Sequence, residues 1–465
     1  MQRFPDPRSQ SADQLVSPAD MVRSGLCVGC GGCASVSAGA EMHFDPDGFL
    51  KPKGPDGWFE APSGAVTLCC PFSPVARNED AIALESFPGA PAADRSIGRF
   101  EAAFVGHVTE PEFRRDGSSG GLTSWVAAEL LRTGRVDGVA HVVPADPETG
   151  PFFRYRISTT ADAVMEGAKS RYYPVELSRV LREIRAIPGR YAVVGIPCFI
   201  KAIHLLRGAD PILRHRITHT LGLFCGHMKS AAMVQSFAWQ MRSELSNVRA
   251  LDYRKKDPGR PANWYRARLQ HRDGSSAERD WWHLADGDWG AGFFQNPACN
   301  WCDDVTAETA DISFGDAWVE PYASDGRGTN VVVIRSPELK DMIEGARAAG
   351  RLRLEPVGAE FVIETQAAGL RHRREGLAYR LTWRRRGIVP VKRVAPSARL
   401  RLRRKLVYRM RYSIARWSHP MFRLARRLGA PRIYLIWAQA WLRLYQAMAW
   451  SRGSLGTVFD KLLPR

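Results

Sequence analysis

Nine cysteines, unevenly spaced along 465 residues, carry most of the chemistry open to this chain. The first three form the run Cys27-Val-Gly-Cys30-Gly-Gly-Cys33. Thiolates at this spacing suit three corners of an iron–sulfur cube, and the glycines let main-chain amides approach the sulfides. Such a run continues with a cysteine four residues on, where Ser37 stands instead. The fourth ligand is expected from Cys70, because Cys70-Pro71 matches the pair that ends such runs, with Cys69 as its competitor. A tetrahedral zinc site, or a motif that has lost its metal, is the alternative. A second set is dispersed: Cys198 in Gly195-Ile-Pro-Cys198, Cys225 in Cys225-Gly-His227, and the pair Cys299-Asn-Trp-Cys302. Each falls at a strand end or in a loop, and strand ends on one edge of a parallel sheet converge, so these four ligands can meet. An iron–sulfur cluster, zinc and unrelated buried thiols all remain open for them, since a free cysteine is often only a small apolar residue. Asp116-Gly-Ser-Ser-Gly-Gly121 carries a third chemistry. Ser118, Ser119, Gly120 and Gly121 free their amides just before a helix, whose N-terminus favours an anion such as a flavin pyrophosphate. A loop of this composition also makes a plain turn.

Holding these groups in place needs strands and helices in alternation. Apolar runs at 102–108, 136–143, 191–196 and 217–224 read as buried strands, and 122–133, 174–187, 199–206 and 230–245 read as helices between them. Strands at 264–270, 312–314 and 330–334 and a helix at 338–349 complete an α/β (mixed α+β) layer structure with a mostly parallel sheet. The Gly- and Pro-rich stretch before it has a poor apolar core and needs a metal centre to fold. Hydrophobic residues make up 45% and charged residues 25% of the chain, which excludes wholesale disorder, a fibrous repeat and a polytopic membrane protein. Clustered cysteines, odd in number, suggest metal ligation in a reducing compartment rather than a disulfide scaffold. The first 24 residues lack the apolar stretch of a secretion signal, so a cytoplasmic location is expected.

Taken in order, these motifs resemble the family of coenzyme F420 hydrogenase/dehydrogenase beta subunits. The matching stretches are the Cys27 to Cys33 run, the Ser118 to Gly121 loop, Val136-Asp-Gly-Val139, Lys169-Ser-Arg-Tyr172, Gly195-Ile-Pro-Cys198, Cys225-Gly226, and Cys299 to Cys302 followed by Ala310-Asp-Ile-Ser-Phe-Gly-Asp-Ala-Trp318. The resemblance covers about residues 25–365. It implies a flavoprotein oxidoreductase with FAD and two [4Fe–4S] clusters that passes electrons between a one-electron carrier, such as ferredoxin, and an organic two-electron substrate. Coenzyme F420 as that substrate, with the chain as the electron-input subunit of a larger complex, is the alternative. One cluster would be held by Cys27, Cys30, Cys33 and Cys70, the other, close to the flavin, by Cys198, Cys225, Cys299 and Cys302. The Ser118, Ser119, Gly120 and Gly121 loop, Lys169, Ser170, Tyr172 and Asp316 become candidates for FAD contacts, with Gly120 admitting a close backbone approach to the ligand. Lys169 could stabilise negative charge on a reduced flavin, and Asp316 could hydrogen-bond the flavin or cap a helix. His227 is the nearest candidate for a general acid, although an ordinary polar residue explains it as well. Four regions result: a flexible leader (1–24), a small ferredoxin-like iron–sulfur domain (25–95), the α/β FAD and cluster domain (96–370) and a helical basic extension (371–465).

The extension holds 25 Lys+Arg and 2 Asp+Glu, net +23, whereas residues 1–370 hold 41 and 46, net −5. Leu402, Leu406, Met410, Ile414 and Trp417 make an apolar stripe among arginines, which Pro420 interrupts. Residues 433–450 contain one charge, Arg443, and enough length to raise a transmembrane helix. Arg432, Gln439, Arg443 and Gln446 lie on one face of it, so an in-plane helix on an anionic membrane surface is the preferred reading. Docking on the protein's own body or on a partner is a further alternative, and no nucleic-acid recognition motif accompanies the charge. The tail resembles extensions on family members from bacterial polysaccharide biosynthesis, which implies a glycan-related substrate and a position at the inner face of the cell membrane.

Overall fold

The computed structural model describes residues 15–148 and 150–463. An eight-stranded sheet organises the body, built from Ala102–Val108 (β1), Gly138–Pro144 (β2), Phe153–Ser158 (β3), Tyr191–Gly195 (β4), Ile217–Leu223 (β5), Ile312–Asp316 (β6), Asn330–Ile334 (β7) and Leu352–Val357 (β8). Their spatial order is β8-β1-β7-β6-β5-β4-β2-β3. The run Asn-Val-Val-Val-Ile of β7 is buried from end to end, as an uninterrupted apolar run must be in a central strand. Pairs β6–β5, β5–β4 and β4–β2 are parallel. Pairs β7–β6, β7–β1, β8–β1 and β2–β3 are antiparallel, so the sheet is mixed rather than mostly parallel. The difference arises because β2 to β3 and β6 to β7 are joined directly, and a strand that returns without a crossover helix must run antiparallel.

Successive residues of a strand face opposite sides, and the two cores follow that rule. Ala192, Val139 and Ile312 pack with Trp125, Val126 and Leu130 of helix Leu122–Arg132 (α1) and with Leu339 and Ile343. Val193 and Ala140 pack on the other side with Leu181, Ile184, and Ile200 and Ile203 of helix Pro197–Ala209 (α2). This second core also takes in Leu26, Val28 and Phe72, so the cysteine-rich region shares the body's core instead of needing one of its own. Within the expected leader, residues 1–14 lie outside the described residues. From Ser17 onward it is ordered: Ser17 and Asp20 form a capping box on helix Pro18–Arg23, whose Ala19 and Met21 are buried.

A three-stranded sheet, Val248–Lys255, Arg266–His271 and Ser276–Asp280, forms a separate layer. Beyond residue 381 a strap without regular structure leads to helices Leu402–Arg427 (α3) and Pro431–Trp450 (α4). Contrary to expectation α3 runs through Pro420, which forfeits one main-chain bond without ending the helix. Much of the apolar surface of α3 and α4 packs on the body, while Leu402 and Trp417 of the predicted stripe, with Ile436 and Trp450, stay exposed. Val407, Ile414, Phe422, Tyr434, Ala438 and Tyr445 are buried against Met233, Phe237, Phe293 and Phe294 of the body. Phe422 stacks on Trp239 at 4.5 Å between ring centroids, and the Tyr434 hydroxyl donates to Asp286 at 3.1 Å. Of the faces named above, the exposed one in α4 carries Arg432, Gln439 and Arg443. Among the described residues no helix is long and apolar enough to cross a membrane.

Candidate functional site

The carboxyl ends of the parallel strands and the start of β7 form one edge of the sheet, and the candidate residues gather along it. Gly195 of β4 lies opposite Gly222 of β5. Cys198, in the first turn of α2, and Cys225, just past β5, therefore leave the sheet side by side. Cys299 lies in the tight turn Pro297–Trp301, with Cys302 immediately after it. The Cys225 amide donates to the Val305 carbonyl at 2.9 Å and the Met228 amide to the Cys299 Sγ at 3.3 Å, which pins this turn against the strand ends. All four cysteines border one pocket with Met228, Arg373 and, from the N-terminal region, Val28 and Phe72. They ring a space rather than meet at a point: among the described residues no three His, Cys, Asp or Glu side chains converge as a single-ion site. Zinc holds thiolates at about 2.3 Å, so this ring suits a larger, multi-iron group better. Burial raises the pKa of Cys225, Cys299 and Cys302, and the Arg373 guanidinium works against it at each.

The N-terminal set gathers close by. Burial raises the Cys30 thiol, and the sulfurs of Cys70 and Cys27 add to the effect. Burial lifts Cys70 to about 12, while the Phe72 amide pulls it down and Cys27 pushes it further up. Cys27, Cys30 and Cys70 are therefore mutual neighbours. Cys69 turns its thiol back onto its own helix, donating to the Val66 carbonyl at 3.5 Å, although it is the sulfur that Cys33 feels most. Cys198 feels Cys30 as well as the other three thiols of its own set, so the two sets adjoin.

The 118–121 loop is folded onto the sheet edge. Its Gly120 carbonyl accepts from Val108 at 2.9 Å and Ser119 Oγ donates to the Thr329 carbonyl at 2.9 Å. Asn330 Oδ1 accepts from the Leu122 amide at 3.1 Å, so one free donor of the helix N-terminus is already satisfied. A Cβ on Gly120 would stand 2.7 Å from the Gly106 carbonyl oxygen and 2.8 Å from Asn330 Oδ1. Glycine there is required by the chain's own packing. Ser118 differs: its Oγ accepts from the Ser170 amide at 2.7 Å, and the residue lines a second pocket with Arg254, Lys256, Trp264 and Tyr265.

Two cations, Arg254 and Lys256, line that pocket with one carboxylate, Asp257. Arg254 donates to both oxygens of Asp316 at 2.9 and 3.2 Å, so Asp316 serves as the partner of an arginine and does not cap a helix. Lys256 donates to the Ser119 carbonyl at 2.9 Å and to that of Arg114. Burial, with Arg254 and Arg114 adding repulsion, brings its pKa down to about 7. Lys169 pairs with Asp252 and holds φ at 102°, a strained value for a side chain with a Cβ. Between the two pockets runs an aromatic row. Tyr172 lies 4.6 Å from Trp289, and Trp289 stacks on His227 at 4.4 Å, two residues from Cys225. Burial, reinforced by Lys229, Arg411 and Arg373, drives the His227 pKa far down, so its imidazole is neutral. Arg254, Lys256, Asp252 and Arg373 escape sequence reasoning. The first three sit in a basic stretch that reads as a solvated strand end, and Arg373 reads as the start of the tail.

Two family models match the chain across this body. Residues 103–182 match the N-terminal family model described as coenzyme F420 hydrogenase/dehydrogenase, beta subunit, and residues 189–360 match the companion model for the C terminus of the same protein. The coenzyme F420 hydrogenase subunit beta of Methanococcus voltae is 24% identical over 278 residues, covering 56% of this chain and 92% of that one. A coenzyme F420-dependent sulfite reductase of Methanocaldococcus jannaschii is 23% identical over 342 residues, covering 70% of this chain and 47% of that protein, so the chain spans about half of it. The solved F420-reducing [NiFe] hydrogenase complex of Methanosarcina barkeri contains a chain with 18% identity and a TM-score of 0.47, covering 61% of this chain and 92% of that one. With both models matched in order over more than half of its length, the chain belongs to the coenzyme F420 hydrogenase/dehydrogenase beta subunit family.

Proposed function

We propose that the protein is an iron–sulfur oxidoreductase subunit that exchanges electrons with coenzyme F420 and passes them to partner subunits. The relatives' names support this over a reading in which ferredoxin reduces an organic substrate directly. The observation that carries it is the ring of four thiols on the strand-carboxyl edge, joined by an aromatic row to a basic pocket. Cys198, Cys225, Cys299 and Cys302 would hold one [4Fe–4S] cluster, and Cys27, Cys30, Cys33 and Cys70 the other. Ser118, Arg254 and Lys256 would receive the phosphates of FAD. When bound, the clusters supply one-electron steps and the flavin the change to two-electron chemistry. The chain's own part is to keep that chemistry dry and oriented. Arg254 offers fixed positive charge to a phosphate and Lys256 a charge that titrates near neutrality, Asp316 holds Arg254 in place, and Tyr172 with Trp289 walls the space between pocket and thiols. A glycan-related substrate draws on none of these residues and forms no part of the reading.

Anaerobic purification tests it. About eight irons per chain with matching acid-labile sulfide are expected, and Cys299→Ser should remove about four of them. The wild-type protein should oxidise reduced coenzyme F420 with an artificial one-electron acceptor, and Cys299→Ser should not. Stoichiometric zinc without iron would end the proposal.

A further inference from the structure

We propose that Arg373 is the buried counter-ion of the Cys198, Cys225, Cys299 and Cys302 site, and that it raises the midpoint potential of the group held there. The inference rests on reading those four thiols as cluster ligands. Arg373 lies beyond residue 360, where the family match ends, on helix Ala367–Arg373. Only 1% of it is exposed, and it borders the pocket that the four cysteines line. Its Nη1 donates to the Cys299 carbonyl at 2.5 Å and its Nη2 to the Gly226 carbonyl. The guanidinium thereby grips the main chain beside two of the four ligands. Its Nε has no partner.

What Arg373 lacks is an ion-pair partner, for Asp304 borders the same pocket without pairing with it. Arg254 has Asp316, and Arg393 has Glu308, at 2.9 and 2.6 Å. No carboxylate among the described residues forms such a pair with Arg373. A buried guanidinium without a counter-ion is strongly disfavoured, so the compensating charge belongs in the pocket it borders. Four thiolates around an iron–sulfur cluster carry net negative charge there. A fixed cation beside such a group favours its reduced, more negative state, and donors to the sulfurs act in the same direction. Arg373 is therefore a positioning and potential-setting residue supplied from outside the shared core.

The test uses the full chain purified anaerobically, with Arg373→Gln and Arg373→Lys. Iron and labile sulfide are counted, and both clusters are titrated by EPR, the signal lost in Cys299→Ser identifying the pocket's group. Arg373→Gln should shift that signal to a more negative midpoint and leave the other in place, while Arg373→Lys should shift it less. If Arg373→Gln cannot retain the group but Arg373→Lys does, the charge requirement is met in another form. An iron-replete Arg373→Gln variant with an unmoved or more positive midpoint overturns the inference. So does equal loss of iron from both variants, which would reduce the residue to its main-chain bonds. A wild-type chain that keeps only the Cys27 to Cys33 cluster would instead remove the functional reading beneath it.

Discussion

Lys256 shows how one side chain sets a pH dependence that the sequence does not announce. Its ammonium sits among Arg254 and Arg114, and burial brings it down to about 7, so near neutrality it is half charged. A phosphate binds the charged form. Affinity for FAD should therefore be level below about pH 7 and fall as the pH rises through it. A charge-assisted hydrogen bond contributes about 1.5–3 kcal/mol, so Lys256→Met should weaken binding roughly 10- to 100-fold at pH 6 and flatten the profile. Fluorescence titration of the flavin across pH 6–9 reads both effects. Binding that ignores pH and survives Lys256→Met would exclude this pocket as the phosphate site. Gly120, by contrast, is the wrong residue to probe. Any larger side chain collides with Gly106 and Asn330, and the sheet edge would suffer before a ligand could.

At the level of elements, α3 and α4 work as part of the core. Phe422 is enclosed by Trp239, Phe294 and Tyr434, so Phe422→Ala should cost about 3–5 kcal/mol, seen as an earlier unfolding midpoint in denaturant. An unchanged midpoint would mean that the hairpin is loosely attached. Amphipathicity was legible in the tail, but not what it faces. A stripe of Leu, Ile and Trp suits lipid and protein equally, and only the complementary patch of Met233, Phe237, Phe293 and Phe294, distant in sequence, decides between them. The strands β1, β4, β5 and β7 stand close to where their apolar runs lie, because each is buried on both faces. Strands β3 and β8 were missed, and polar residues break their apolar runs: Arg154 and Arg156 in β3, Arg353 and Glu355 in β8. The Cys27 to Cys33 run was legible because its spacing is local, and the gathering of Cys198, Cys225, Cys299 and Cys302 because strand ends on one sheet edge converge. Ser118, Lys169 and Asp316 were named through the resemblance, whereas Arg254 and Lys256 were not, because they meet Ser118 only through the topology of two sheets.

Across the whole molecule, the charge segregation finds a partial use. The net −5 body carries buried acids, and the strap meets them: Lys392 reaches Asp303 at 3.3 Å and Arg393 reaches Glu308 at 2.6 Å, besides the exposed Asp80 at 2.7 Å. Upstream of these pairs, the Ile388 amide donates to Ser24 Oγ at 2.9 Å, and Arg385 lies over the Trp301 ring at 4.4 Å. One stretch of chain thus ties the N-terminal cysteine region to the loop bearing Cys299 and Cys302. Proteins are made from the N-terminus, so every candidate ligand leaves the ribosome before the residues that close over it. On the proposed cluster reading, iron and sulfide would have a period of open access during synthesis that the finished fold withdraws. Loading a refolded apo chain should accordingly be slower than loading one whose strap is loosened by Arg393→Ala, as followed by the growth of cluster absorbance. Equal rates would mean the strap is no barrier. On the proposed cluster reading, the time between translating Cys302 and translating Arg393 would be the interval of easiest loading.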